Sequence, residues 1–228
     1  MVKSSFYDRS LNRLWEQIIE MGTHVEELLK ETLNSFINKD TSKLAHIYEL
    51  EDIVDKMDEK IEIQALELIA LQQPTQEELG KLAAFMGIIK ELERIADLGL
   101  NLGEAAARLE KTGDDLKLQE EDVSKMIKLA MDMVFRSLEA YKNRDISLAE
   151  EICLMERNVD KMYIILKDEI VEYMKKDVKY VDHACELLLI VRDMERIGDH
   201  AENIAEMVNY MVTGKKIILC SLVERNNI

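Results

Sequence analysis

Four Glu-x-x-x-Asp pairs are the groups in this chain best able to do chemistry: Glu51/Asp55, Glu93/Asp97, Glu156/Asp160 and Glu195/Asp199. A spacing of four residues stacks both carboxylates on one face of a helix. Carboxylate oxygens are ligands for hard cations and for iron. One such pair alone carries no information, because 46 of the 228 residues are acidic.

Position and repetition give the set its meaning. Each acid directly follows a residue of apolar character: Leu50 and Val54, Leu92 and Ala96, Met155 and Val159, Met194 and Gly198. One step along a helix is about 100° of rotation, so every acid lies on the flank of a buried stripe, partly exposed. The first two motifs centre on residues 53 and 95, whose midpoint is the turn signal at Pro74. The other two centre on 158 and 197, with their midpoint between Asp177 and Val178. Antiparallel helices folded about those turns bring two motifs level and gather four carboxylates in each half.

Such a gathering is unfavourable by itself. Like charges at i,i+4 cost roughly 0.2–0.5 kcal/mol, and across a helix pair at ~4 Å the repulsion is about 1 kcal/mol in water. A cation removes the problem. Asn101, Asn203, Glu104 and Glu206, one or two turns further on, could complete an oxygen-rich shell. The competing reading is that these acids pair with Lys56, Lys161, Arg94 and Arg196, or face water. His200, beside Asp199, could reach a metal, but reads first as a lone exposed histidine. No Glu-x-x-His occurs, since Met21, Lys43, Tyr180 and Ile197 stand three before the four histidines. No phosphate-binding glycine loop and no nucleophile–base set is visible.

The elements that must position these acids come as a repeat. Leu92-Glu93-Arg94-Ile95-Ala96-Asp97, with Asn101 and Glu104, matches Met194-Glu195-Arg196-Ile197-Gly198-Asp199, with Asn203 and Glu206, at a constant offset of 102. Glu51, Val54, Asp55, Lys56 and Met57 match Glu156, Val159, Asp160, Lys161 and Met162 at 105, and so do Asp40 and Asp145. Thr112-Gly113 and Thr213-Gly214 close the copies. This is a duplication.

Eight glycines, one proline and an abundance of helix formers point to an all-α fold. Breaks at Asn38-Lys39-Asp40, Pro74-Thr75, Asn143-Arg144-Asp145 and Lys176-Asp177, with Gly113 and Gly214 as C-termini, predict helices over 8–37, 41–72, 76–111, 119–142, 146–175 and 178–212. Thr75 and Glu78 form a capping-box pattern. The stripes Phe85, Ile88, Leu92, Ile95, Gly99, Leu102, Ala106 and Leu187, Ile190, Met194, Ile197, Ala201, Ile204, Val208 read as core. The units are a three-helix repeat at 1–115, a second at 116–214 and a tail at 215–228.

A net charge of −16 repels phosphate backbones and argues against nucleic acid as a partner. Cys153, Cys185 and Cys220 are odd in number and far apart, which argues against a disulfide framework or zinc knuckle and for a reducing compartment. Residues 1–15 show no signal-peptide pattern, and no apolar run nears the ~20 residues that span a bilayer. Membrane contact must therefore go through a partner. Long amphipathic helices offer faces for docking and for a homodimer.

Glu-Arg-Ile-Ala-Asp at 93–97 and Glu-Arg-Ile-Gly-Asp-His-Ala-Glu-Asn-Ile-Ala-Glu at 195–206 resemble the paired signatures of the PhoU family of phosphate-uptake regulators. The likeness runs from about residue 8 to 214, with Leu98-Gly99-Leu100 a departure in the first signature. It implies two tandem three-helix bundles related by a pseudo-twofold repeat. It implies a cytoplasmic accessory protein, not an enzyme, linked to the phosphate transporter's ATPase subunit and to a membrane sensor histidine kinase, which represses phosphate-starvation genes. It also implies iron or another divalent metal cluster on Glu51, Asp55, Glu93, Asp97, Asn101, Glu156, Asp160, Glu195, Asp199 and Asn203. From the residues alone, a metal-dependent enzyme or metal-storage helical protein and a plain helical scaffold stay open.

Overall fold

Among the described residues, helix formers between punctuating residues produce six α-helices. The structure, a computed structural model, describes residues 2–110, 117–215 and 220. The helices are α1 (Val2–Asn38), α2 (Leu44–Gln72), α3 (Gln76–Leu109), α4 (Lys117–Asn143), α5 (Ile146–Met174) and α6 (Val181–Thr213), and the described residues contain no strand. At ~1.5 Å per residue the longest spans about 55 Å.

The breaks lie where the sequence puts them, with local differences. α1 begins at Val2, earlier than expected. Short 3-10 turns at Thr41–Lys43 and Val178–Tyr180 precede α2 and α6. Their cause is the aspartate before each. The Ser42 N–H donates to Asp40 Oδ1 at 2.9 Å and the Lys179 N–H to Asp177 Oδ1 at 3.1 Å. A bond reaching only two residues ahead tightens the first turn. Asp145 caps α5 through the Leu148 N–H at 3.2 Å. Gly214 ends α6 with φ 68°, and its N–H donates to the Tyr210 carbonyl. Thr112 and Gly113 lie outside the described residues.

The Thr75–Glu78 capping box is complete. The Glu78 N–H donates to Thr75 Oγ1, and the Thr75 N–H donates to Glu78 Oε2 at 2.6 Å. Thr75→Ala is expected to lower stability by about 1 kcal/mol, read from the urea midpoint at unchanged slope. Thr75→Ser should lose little.

Helices α1, α2 and α3 pack on one another, as do α4, α5 and α6. The halves meet mainly through α3 on α6, with α1 also touching α4. Every residue of the two expected stripes is buried. Trp15, Phe85 and Tyr141 lock α1, α3 and α4 together: Trp15 stacks on Tyr141 with centroids 4.3 Å apart, and Phe85 meets both edge-on at 6.0 Å. The Arg144 guanidinium covers Trp15 at 4.4 Å from the ring centroid. Gly99 lets α1 approach α3, since a Cβ there would strike the Leu28 side chain.

The expectation for the cysteines is overturned. Cys153 on α5 and Cys220 form a disulfide, with Cα atoms 5.0 Å apart. Their separation of 67 residues argued against pairing, but sequence distance does not limit spatial distance once a chain doubles back. Cys185 is free and exposed. No described helix is long and apolar enough to cross a membrane.

Candidate metal centre

The turn containing Pro74 folds α2 back along α3, and the turn at Lys176-Asp177 folds α5 back along α6. The residues preceding the motif acids are buried, except half-buried Met155, so the acids stand on the rims of the helix–helix seams. In the first half, carboxylate oxygens of Glu51 and Asp55 from α2 and Asp97 from α3 all lie within 4.8 Å of one another. In the second, the same holds for Glu156 from α5 with Asp199 and Glu202 from α6.

These acids feel their burial and one another. Burial and then the charges of Asp55 and Asp97 raise the Glu51 carboxyl above the usual glutamate range. Burial and Asp55 do the same to Asp97. Glu93 is raised by burial, Asp97, Asp58 and Asp55, with Lys90 offsetting part. Glu195 and Asp199 are raised by burial and by Asp160, with Arg196 opposing. Glu156 moves furthest, up to about 8: burial leads, followed by its hydrogen bond with Asp160 and the charges of Asp160, Glu202 and Asp199.

The basic residues nearest the first cluster in sequence are engaged with other acids. Lys56 pairs with Asp52, and Arg94 reaches Glu91 at 3.8 Å. Lys90 bridges buried Asp58 and Glu62 at 2.5 and 3.3 Å.

The amides behave differently from the carboxylates. Asn101 is exposed. Asn203 Nδ2 donates to Glu91 Oε2 at 3.1 Å, across the contact between halves. Glu104 accepts from the Tyr48 hydroxyl and pairs with Arg108 at 3.5 Å. His200, expected to be exposed, is buried, with Nδ1 2.6 Å from Glu91 Oε2. One step beyond Asp199 rotates it toward α3 rather than toward water. Burial raises the Glu91 carboxyl, but the His200 and Asn203 hydrogen bonds outweigh it and hold the group below its usual range.

Glu202 is the member that the repeat comparison hides. Its counterpart at the 102 offset is Leu100, so matching the copies removes it. Its spacing of three from Asp199 was the available signal.

The donor set fits an oxygen-preferring cation. Three carboxylate oxygens so close together can share an ion at the ~2.0–2.6 Å typical of hard cations after small side-chain adjustments. Without one, Glu156 in the folded protein holds a proton that the unfolded chain releases. A raised acid adds stability below its ordinary value near 4.5, and that stability is lost as pH climbs toward about 8. In chelator, the melting temperature should therefore fall between pH 5 and 8, and Asp160→Asn should flatten the slope. Glu91 acts oppositely: its contribution is present above the glutamate range and lost on acidification. Calorimetry across pH 4–9 checks both signs; a rise from pH 5 to 8 would contradict the first.

A family profile described as the PhoU domain matches residues 18–106 and again 123–208, so each match contains one acidic cluster. The chain belongs to the PhoU family. The PhoU homolog of Clostridium acetobutylicum, a phosphate-specific transport system accessory protein, is 29% identical over 216 residues, covering 93% of this chain and 97% of its own. The Zymomonas mobilis PhoU homolog of the same description is 32% identical over 211 residues, covering 92% and 88%. The crystal structure of PhoU from Pseudomonas aeruginosa superposes with a TM-score of 0.88 at 27% identity, covering 92% of this chain and 100% of that one. The PhoU fold and its repeat are thus the frame in which both clusters sit.

Proposed function

We propose that this protein regulates phosphate uptake from the cytoplasm. It binds the ATPase subunit of the phosphate transporter and a membrane sensor histidine kinase, acts as a homodimer, and holds phosphate-starvation signalling down when phosphate is ample. The observation that carries this reading is PhoU-family membership across both halves, with relatives named as phosphate-specific transport accessory proteins. Contact surfaces are available: Ile63, Leu66 and Leu71 on α2 and Ile164 and Ile165 on α5 are exposed. The surrounding negative charge suits basic patches on partners.

The acidic clusters bind iron or another divalent metal in this reading. Glu51, Asp55 and Asp97 hold it in one half and Glu156, Asp199 and Glu202 in the other, with Glu93, Asp160 and Glu195 beside them. The ion supplies positive charge that offsets the crowded carboxylates and ties paired helices together. Regulation then follows from biasing a binding equilibrium. We assign no catalytic step, because the cluster residues include no nucleophile–base pair.

Affinity capture from membranes of phosphate-replete cells tests the reading. The ATPase subunit should be recovered with the tagged protein, and deletion should leave phosphate-starvation genes on in rich medium. Absence of the ATPase from the captured material, with normal transporter present, argues against it.

A further inference from the structure

We propose that in the reduced protein Cys153, Cys220 and Glu202 form a binding site for a thiophilic divalent cation of the zinc class, closed by oxidation to the disulfide. Cys153 and Cys220 are buried, Glu202 is half-buried, and one donor atom from each lies within 4.8 Å of the others. Two thiolates and a carboxylate, with water in the fourth position, make a donor set that zinc accepts. Carboxylate clusters select hard cations, whereas sulfur selects softer ones. Glu202 belongs to both sets, since its carboxylate also faces Glu156 and Asp199.

The two states exclude each other. Thiolates on a tetrahedral zinc stand about 3.8 Å apart, far beyond a sulfur–sulfur bond. The S–S bond must break first: a dithiol reductant delivers two electrons and two protons, the protein gains two S–H groups, and the reductant ends as its own disulfide. Metal binding then sends the two thiol protons to water. In a reducing compartment the dithiol form prevails, so the site is available at rest and withdrawn under oxidation. The site shares Glu202 with the second acidic cluster, but the inference stands on the two thiols, whose absorption with cobalt the carboxylates cannot produce. Position 48, the counterpart of Cys153 at the 105 offset, is Tyr48, so the first half has no such site.

Cobalt(II) titration of the full chain tests it, after reduction with dithiothreitol and its removal without oxygen. Reduced wild type should develop intense near-ultraviolet thiolate-to-cobalt absorption, absent from the oxidised protein. Cys220→Ser should lose it, and Cys185→Ser should keep it. Glu202→Gln, which leaves both thiols in place, should weaken cobalt binding at least about tenfold when binding is read from the thiolate absorption alone. No such absorption in reduced wild type with both thiols titratable, its persistence in Cys220→Ser, or unchanged affinity in Glu202→Gln overturns the proposal. So does a peptide map of oxidised protein lacking the Cys153–Cys220 link.

Discussion

Replacing Phe85 with alanine is expected to lower the unfolding free energy by about 3–5 kcal/mol, among the largest single-residue losses in this molecule. Phe85 is 2% exposed and lies edge-on to both Trp15 and Tyr141. It is therefore one of three rings that join α3 to α1 and α4, and the cavity left behind would sit between the halves. Tyr141 is fully buried and Trp15 is stacked on it, so neither can easily collapse into the space. Trp15 is the only tryptophan, and its fluorescence reports on this junction during urea unfolding. Phe135, half-buried and covered by Lys30 at 4.7 Å, is the comparison. Its alanine variant should lose clearly less. Equal losses at the two positions would mean that the aromatic junction is not a principal tie between the halves.

The second large effect concerns the acidic clusters. A cation present at a hundred times its dissociation constant should stabilise the chelator-stripped protein by about 2.7 kcal/mol per site. For a chain of this length each kcal/mol moves the melting temperature by about 2–4 °C. Asp97→Asn with Asp199→Asn should behave oppositely in the two conditions. Stripped of metal, the variant should melt above wild type, because each substitution removes a charge whose repulsion is about 1 kcal/mol or more at close range. With cation added, the variant should gain little. A variant destabilised in chelator, yet still stabilised by cation, would place the binding elsewhere. Differential scanning calorimetry of both proteins, with and without manganese, makes the comparison.

The fold was legible because its punctuation is local. Pro74 with the Thr75–Glu78 box, Asp145 and Gly214 each act within one helical turn, and the apolar stripes need only the helical period. The convergence of Glu51, Asp55 and Asp97 was legible too, since equal distances from a turn force equal heights on antiparallel helices. What was missed depends on rotation or on distant chain. Glu202 was lost because Leu100 is its repeat partner. Asn203 and His200 turn toward Glu91 across the α3–α6 contact, and no spacing within one half reveals what the other half offers. The Cys153–Cys220 pair joins α5 to a residue beyond α6, a proximity that periodicity does not encode. The short 3-10 turns follow from aspartates that bond two residues ahead rather than three.

The central claim is that each half gathers its own carboxylates around cations. Counting manganese bound per chain, by paramagnetic resonance of the free ion, tests it most directly in wild type, Asp97→Asn and Asp199→Asn. Each single substitution should remove the ions of its own half and leave those of the other. Full binding in both variants, or complete loss in either one, would contradict the account.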